Sequence, residues 1–301
     1  MREASAFAPG HITGFFQICD EPDDPLMKGS RGAGFSIDIG IQTKILVEPS
    51  ERDSISIVMN GRVTGEAVVS ENTVRRMLAM AEEPQRVEVI HEIETPIGAG
   101  YGSSGGGALT IALAMNDALE LGLSYVDASR VAHLAEIECK TGLGTVFAAT
   151  QGGFGVLYKP GAPGIGESIK YDRSDELAAF CAHFGPISTR AALSNPDLRL
   201  RINDLGGNFV DEIMGDLGPS RFMELSREFT DYVSITTPRL KAVLDAADKV
   251  GVPCSMAMFG EAIFSLVEKD EAGRVAAFYR ETVPGQNFRA LFIDERGARL
   301  L

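Results

Sequence analysis

The segment PIGAGYGSSGGG (residues 96–107) determines the fold, because six glycines and two adjacent serines stand there directly before an apolar run. Glycine weakens helices and strands, so such a cluster marks a place where the backbone approaches another group closely. The run that follows, ALTIALAMNDALELG, has the length and composition of a largely buried helix. A glycine-rich turn at a helix start favours an anion, since main-chain N–H groups and the helix dipole both attract negative charge.

Two well-known glycine loops do not fit this segment. Gly100, Gly102 and Gly105 spell G-x-G-x-x-G, but the helix after them leads into a second helix, not into the parallel strand of a dinucleotide fold. A Walker loop needs a lysine at the helix start, and no lysine occurs between Lys44 and Lys140. The sequence therefore predicts a phosphate-binding loop without lysine, and a flexible turn or close packing of the helix is the alternative.

The composition is that of a globular protein with few basic residues. The 301 residues are 45% hydrophobic and carry a formal net charge of -14. Nucleic acids and anionic membrane surfaces require clustered lysine and arginine, so we expect neither as a partner. The four cysteines are scattered, and the first residues, MREASAFAPG, form no apolar leader. These features predict a cytoplasmic protein with free thiols and no membrane segment.

Alternating and helical patterns both occur along the chain. Residues 34–49, 53–61 and 85–94 are predicted strands, whereas residues 196–214 and 237–251 are predicted helices. A further helix is predicted near 174–183. This mixture indicates an α+β fold.

A phosphate site without lysine needs another cation, and Mg²⁺ bound to nucleotide phosphates usually takes one or two carboxylates. The predicted helix in SYVDASRVAHLAEIECKTG offers two candidates, Glu136 and Glu138. Glu138 continues an apolar stripe formed by Val131, Leu134 and Ala135. A carboxylate on a core-facing stripe is costly unless it is paired or bound to metal. We therefore expect Glu138 to hold Mg²⁺, with Glu136 as the second choice.

Three motifs together resemble those of the GHMP kinases, a family that includes galactokinase, homoserine kinase and mevalonate kinase. The glycine segment resembles their nucleotide loop, FAPGHITGFF (residues 7–16) their N-terminal motif, and SMAMFGEAIF (residues 255–264) their C-terminal motif. The resemblance implies a two-domain α+β fold. Residues 1–160 would form a ribosomal-S5-like ATP-binding domain and residues 161–301 a ferredoxin-like domain, with ATP and substrate between them.

The resemblance also implies roles for particular residues. Ser104 and Glu138 would share Mg²⁺ and act in catalysis. Thr145 stands where the mevalonate-kinase branch has a catalytic aspartate, so a proton acceptor has to be sought elsewhere, at His11, at His133, on the substrate or in water. The residues expected to bind ATP are Pro96, Gly98, Ala99, Gly100, Gly102, Ser103, Ser104 and Gly105.

Longer stretches, among them KGSRGAGFSIDIG and AHLAEIECKTGLGTV, resemble the archaeal branch of the family that phosphorylates pantoate for coenzyme A biosynthesis. This resemblance implies a small hydroxy acid as substrate, bound through Lys28, Ser30, Arg31 and Arg190. Mevalonate or a phosphomevalonate as acceptor remains an alternative, as does a nucleotide-binding homologue without activity. A homodimer is expected from the frequency of such assemblies.

Overall fold

The computed structural model describes residues 1–187, 189–283 and 288–301. Strands and helices alternate irregularly in this part of the chain and form two sheets with helices packed against each. The predicted α+β class is confirmed.

The first sheet, within the described residues, has eight strands, most of them antiparallel. Numbered in chain order, they are β1 (Arg2–Cys19), β2 (Gly29–Pro49), β3 (Ser54–Met59), β4 (Arg62–Val63), β5 (Gln85–Ile93), β6 (Phe154–Lys159), β7 (Glu167–Lys170) and β12 (Arg299–Leu300). The main path runs β12–β1–β2–β5–β3–β4, and β6 joins β2 and carries β7. Only the β3–β5 pairing is parallel among these neighbours.

The long β1–β2 hairpin connects the two halves of the molecule. Its register shifts between Pro9 and Gly10, and again between Thr13 and Phe15. Such irregularities bend a strand and turn its side chains toward a new neighbour. Before them, Ala6 and Ala8 pack in the core under the first sheet, whereas Phe15, Phe16 and Ile18 pack in the core that continues into the second half.

Four helices accompany the first sheet: α1 (Val68–Leu78), α2 (Ser103–Ala118), α3 (Tyr125–Cys139) and α4 (Thr145–Gln151). Helix α2 is buried on nearly every side, between the sheet and its neighbours α1 and α3. This burial explains why its sequence is apolar all round and not on one stripe.

The second sheet is antiparallel, in the order β11–β8–β10–β9. Its strands are β8 (Leu177–Pro186), β9 (Ser255–Met256), β10 (Gly260–Glu268) and β11 (Phe288–Leu291). The helix predicted near residues 174–183 is wrong, because most of that segment lies in β8. The strand is bonded on both edges, to β10 and β11, and this pairing overrides the helix propensity of its alanines.

The remaining helices surround this sheet: α5 (Thr189–Leu193), α6 (Pro196–Ile213), α7 (Pro219–Val233), α8 (Pro238–Val250) and α9 (Ala272–Thr282). Across the described residues, none of the helices combines the length and apolarity that membrane crossing requires.

An aromatic core joins the two halves. Phe15 meets Phe209 edge to face at 5.8 Å between ring centroids, and Phe35 meets Phe264 at 5.6 Å. Strand β7 follows residue 160 in sequence yet pairs with β6, and β12 pairs with β1. The division at residues 160 and 161 stays a prediction, while the packing places a continuous core beneath the junction.

Candidate active site

The glycine segment leads into helix α2 through Gly102, whose φ of 71° is left-handed. Side chains other than glycine rarely adopt this conformation. A Cβ there would also lie 2.7 Å from Thr145 Cγ2. Ser103 and Ser104 form the first turn of the helix, and no described side chain caps it. The N–H groups of this turn are left to bind an anion.

The same segment is fastened to both halves of the molecule. Ile187 N donates to Gly98 O at 2.9 Å, and His11 N donates to Tyr101 O at 3.0 Å. Tyr101 itself is only 3% exposed within the shared core. The loop is therefore held at the junction of the two sheets.

A cavity of about 760 Å³ opens over this loop. Of the predicted ATP-binding residues, Gly98, Gly100, Gly102, Ser103, Ser104 and Gly105 line it, whereas Pro96 and Ala99 do not.

We divide the residues that line the cavity into two groups by the parts of the chain that carry them. The first group, which we call the β5 arm, consists of Met59, Val68, Ser70, His91, Ile93 and Ile97. The second group, which we call the hairpin arm after β1 and β2, consists of Thr13, Ser30, Leu143, Leu157, Thr189, Leu193 and Phe259. Helix α2 runs beside the β5 arm, because a Cβ at Gly107 would lie 3.6 Å from His91 Cε1.

A buried carboxylate meets the first turn of α2. Ser104 Oγ donates to Glu136 Oε1 at 2.6 Å, and Thr141 Oγ1 donates to the same oxygen at 2.7 Å. Glu136 is 3% exposed. Burial raises the pKa of Glu136, and the hydrogen bonds from Ser104 and Thr141 oppose that rise. A Cβ at Gly142 would overlap Glu136 Oε2, so the backbone approaches the carboxylate as closely as glycine allows.

Placing Glu138 on the core-facing side of α3 is wrong. Its side chain is 58% exposed and pairs with Arg76 on α1. The buried stripe of the helix runs through Ala128, Ala132 and Ala135 to Glu136, while Leu134 is only partly buried. Small alanines let α3 approach α2 closely. The buried side of α3 is therefore identified by its small residues and not by the more hydrophobic Leu134.

The oxygens around Glu136 suit magnesium better than a transition metal. Mg²⁺ prefers carboxylate and hydroxyl oxygens and keeps positions for phosphate and water. The described ranges hold no group of three or more His, Cys, Asp or Glu side chains able to enclose a metal ion. One carboxylate beside a phosphate-binding helix terminus is the arrangement expected when the nucleotide supplies the remaining ligands. Ser104 and Glu136 thus fit the ion.

The two candidate histidines lie in different surroundings. His11 lines the cavity, with Nδ1 3.4 Å from Ser36 Oγ, and burial lowers its pKa to about 4, so it is neutral at pH 7. His133 is 1% exposed and does not line the cavity. Its Nε2 lies 3.2 Å from Pro25 O, and the ring also bonds to the backbone of Lys28. His133 therefore holds the turn before β2 rather than facing a substrate.

The predicted substrate residues are only partly brought together. Ser30 lines the hairpin arm. Arg31 is occupied elsewhere, donating to Tyr158 O at 2.8 Å and pairing with Asp211, and Lys28 does not line the cavity either. The side chain of Arg190 lies outside the described residues. Among the lining residues that the structure describes there is no lysine or arginine.

Sequence reasoning missed three side chains of the site: Thr141, Ser70 and His91. Thr141 comes after Lys140, whose positive φ of 56° ends α3 and turns the chain back to Glu136. Periodicity does not reveal such a return. His91 looks like an ordinary strand residue, and only its place on the buried side of β5 could have signalled it.

Two family models match this chain. The model described as GHMP kinases N terminal domain matches residues 69–153, and that described as GHMP kinases C terminal matches residues 212–285. The chain belongs to the GHMP kinase family, and its two-domain fold is the fold of that family.

Several relatives carry names that point to one branch of this family. A protein of Thermococcus kodakarensis named pantoate kinase is 34% identical over 270 residues, covering 89% of this chain and 88% of its own. A solved structure described as a phosphotransferase related to the coenzyme A biosynthesis pathway is 29% identical, with a TM-score of 0.87 and coverage of 99% and 98%. Mevalonate diphosphate decarboxylase of Enterococcus faecalis shares the fold at 19% identity, with a TM-score of 0.77 and coverage of 100% and 99%.

Proposed function

We propose that the chain is an ATP-dependent kinase that phosphorylates the primary hydroxyl of pantoate to give 4-phosphopantoate. The contact between Ser104 and Glu136 carries this proposal, because it sets a carboxylate and a hydroxyl beside an uncapped helix terminus inside a cavity. The names of the relatives support pantoate as the acceptor. A cytoplasmic location and a homodimer stay predictions.

The two arms suit different parts of the reactants. We assign the nucleotide base to the β5 arm, where Met59, Val68, Ile93 and Ile97 provide apolar surfaces for a flat ring. The phosphates would follow the first turn of α2. The hairpin arm offers hydroxyl groups at Thr13, Ser30 and Thr189, suited to a small polar acid.

The charge of the triphosphate has to be balanced inside a chain of net charge -14. Mg²⁺ held by Glu136 and Ser104 would stabilise negative charge on the transferred phosphoryl group. Glu136 is positioned for this by Thr141, which donates to the same carboxylate oxygen. The N–H groups of α2 contribute further positive potential without any basic side chain.

The transfer forms a bond between the acceptor oxygen and the γ-phosphorus and breaks the bridging bond to the β-phosphate, so ADP leaves. The acceptor also loses its hydroxyl proton. Thr145 cannot serve as a carboxylate base, and His133 does not line the cavity. We therefore propose that the proton leaves late, through neutral His11 or through water, as a loose transition state permits. An unchanged rate and pH profile in His11→Ala would exclude His11.

An acceptor panel tests the proposal most directly. Wild-type protein with MgATP is given pantoate, mevalonate, a phosphomevalonate or homoserine, and ADP release is measured together with the phosphorylated product. We expect pantoate to give the highest kcat/KM. Preference for mevalonate would overturn the choice of acceptor, and nucleotide binding without turnover on any acceptor would indicate a homologue without activity.

A further inference from the structure

A network of hydrogen bonds leads from the β5 arm into the core of the first half. Ser70 Oγ lies 3.1 Å from His91 Nε2, and His91 Nδ1 lies 2.7 Å from Thr43 Oγ1. Thr43 Oγ1 lies 2.5 Å from Thr110 Oγ1, which donates to Gly107 O at 2.9 Å. Ser70 lines the cavity, whereas Thr43 and Thr110 are fully buried.

One order of donors satisfies every contact in this network. A threonine hydroxyl has one proton, and we assign that of Thr110 to Gly107 O, which can only accept, because each remaining contact then has one donor and one acceptor. Thr110 therefore accepts from Thr43, and Thr43 accepts from His91 Nδ1–H. A neutral imidazole protonated at Nδ1 has a bare Nε2, which accepts from the hydroxyl of Ser70.

The charge state of His91 keeps this order in place. Burial lowers its pKa to about 4, so the ring is neutral throughout the range in which a metabolic enzyme works. The ring is 1% exposed and contacts a hydroxyl at both nitrogens, so a change of tautomer would have to reverse the hydroxyls of Thr43 and Thr110 and would cost the bond from Thr110 to Gly107 O. Ser70 is thus left with lone pairs only, and no proton, to offer to the cavity.

We propose that the hydroxyl of Ser70, held as a hydrogen-bond acceptor by His91, selects adenine over 6-oxopurines in the β5 arm. This inference rests on the proposed function, which places the base of the nucleotide there. Adenine carries an exocyclic amino group that donates to such an acceptor. Guanine and hypoxanthine carry a carbonyl at that position, so two acceptors would face each other. A buried acceptor without a donor has lost its hydrogen bonds to water and forms no new one, which weakens binding.

His91 is a positioning residue in this scheme, and so is Thr43 behind it. Ser70 is the side chain that touches the base. A merely structural role for the three residues would weaken the binding of every nucleotide alike. The proposed role changes the ratio between nucleotides that differ only at the 6-position of the purine.

Ser70→Ala tests the contact itself. The probes are MgATP and MgITP, and calorimetry gives the Kd of each for the whole protein. We expect wild type to favour ATP, and the variant to lose roughly tenfold in ATP affinity while ITP affinity stays the same or rises. Equal loss for both nucleotides, or no change in the ratio, would overturn the proposal.

Thr43→Val tests the proton order at a distance from the cavity. Valine keeps the shape but removes the acceptor, so His91 can move its proton to Nε2 and turn Ser70 into a donor. We expect the preference for ATP over ITP to fall by about the same factor as in Ser70→Ala. Thr73→Val is the matched control: Thr73 is equally buried, lies on α1 and donates to Val69 O instead of joining the network, so the ratio should not change.

The outcomes separate this inference from the function on which it rests. Wild type that binds neither nucleotide would defeat the proposed function. Wild type that phosphorylates pantoate equally well with ATP and ITP would leave that function standing and defeat the selection by Ser70. Because Ser70 is only half-buried, its variant remains a test even if Thr43→Val fails to fold.

Discussion

Helix α3 carries two glutamates on different faces, and their surroundings give them opposite properties. Glu136 is 3% exposed, and burial raises its pKa against the hydrogen bonds of Ser104 and Thr141. The Glu138 side chain is 58% exposed, and hydrogen bonds from Arg76 and Asn72 lower its pKa. The same side chain is therefore a buried carboxylate beside the glycine segment at one position and an ordinary surface ion at the other.

The contrast between Glu136 and Glu138 concerns the stability of the fold, because only the carboxylate of Glu136 has lost its contact with water. A buried charge without a cation is unfavourable, even with two hydroxyl donors. Natural proteins retain such groups where function needs them, since stability is rarely at its optimum. Substitution of each glutamate, and of Ser104 beside Glu136, tests whether the two side chains differ in function as they do in burial.

Glu136→Gln should have the largest effect. The amide keeps the size of the side chain but removes the charge that would hold Mg²⁺, so kcat/KM for pantoate should fall on the order of 10³-fold. Steady-state kinetics with MgATP measures this. Loss of less than about tenfold, equivalent to about 1.4 kcal/mol, would show that Glu136 does not hold the ion.

Ser104→Ala should reduce kcat/KM by roughly 10- to 100-fold, because it removes one donor to Glu136 and one hydroxyl ligand but leaves the carboxylate in place. Raising the Mg²⁺ concentration should restore part of the rate. Ser103→Ala is the matched control: Ser103 Oγ lies 3.0 Å from Thr95 Oγ1, whereas Ser104 contacts Glu136, so the control should retain more activity. Equal losses in the two variants would contradict the role of Ser104.

Glu136→Gln should also change how stability depends on pH. The pKa of Glu136 is raised in the folded protein, so its contribution to stability is complete in acid and is lost as the pH rises through the folded pKa. Without nucleotide or Mg²⁺, the Tm of the variant relative to wild type should therefore rise from acid to neutral pH. Thermal unfolding at several pH values tests this, and a constant difference would contradict it.

Glu138→Gln should have the smallest effect. It breaks an exposed ion pair with Arg76, worth about 0.2–1 kcal/mol. Activity should match wild type within about twofold, a span that corresponds to a few tenths of a kcal/mol. A loss comparable with that of Glu136→Gln would reverse the assignment of the two faces.

The sequence was most informative where backbone chemistry limits the choice of residue. The glycine segment, the absent lysine and the helix after it led to a phosphate-binding loop, and the motifs led to the family and the two-domain α+β fold. Each of these inferences rests on residues that are adjacent within one segment of the chain. Their meaning does not depend on how distant segments meet.

Side-chain direction was harder to foresee. The rotation of α3 depends on how closely its alanines approach α2, and Leu134 suggested a different buried face. Arg31 lies in a family-like loop, yet Asp211 and Gln17 draw its guanidinium away from the cavity. The groups that contact α3 and Arg31 come from remote parts of the chain, so local sequence patterns could not identify them.

The return of the chain to its first sheet has a consequence for biosynthesis. Strand β12 pairs with β1, Tyr125 Oη donates to Ala298 O at 2.9 Å, and an isolated bridge joins Ile37 to Ile293. All three contacts use residues that leave the ribosome after every strand of the second sheet. The half that carries the glycine segment is therefore among the first to emerge but cannot close the edge of its sheet until translation has passed the other half. Folding of the two halves is thereby coupled in time as well as in space.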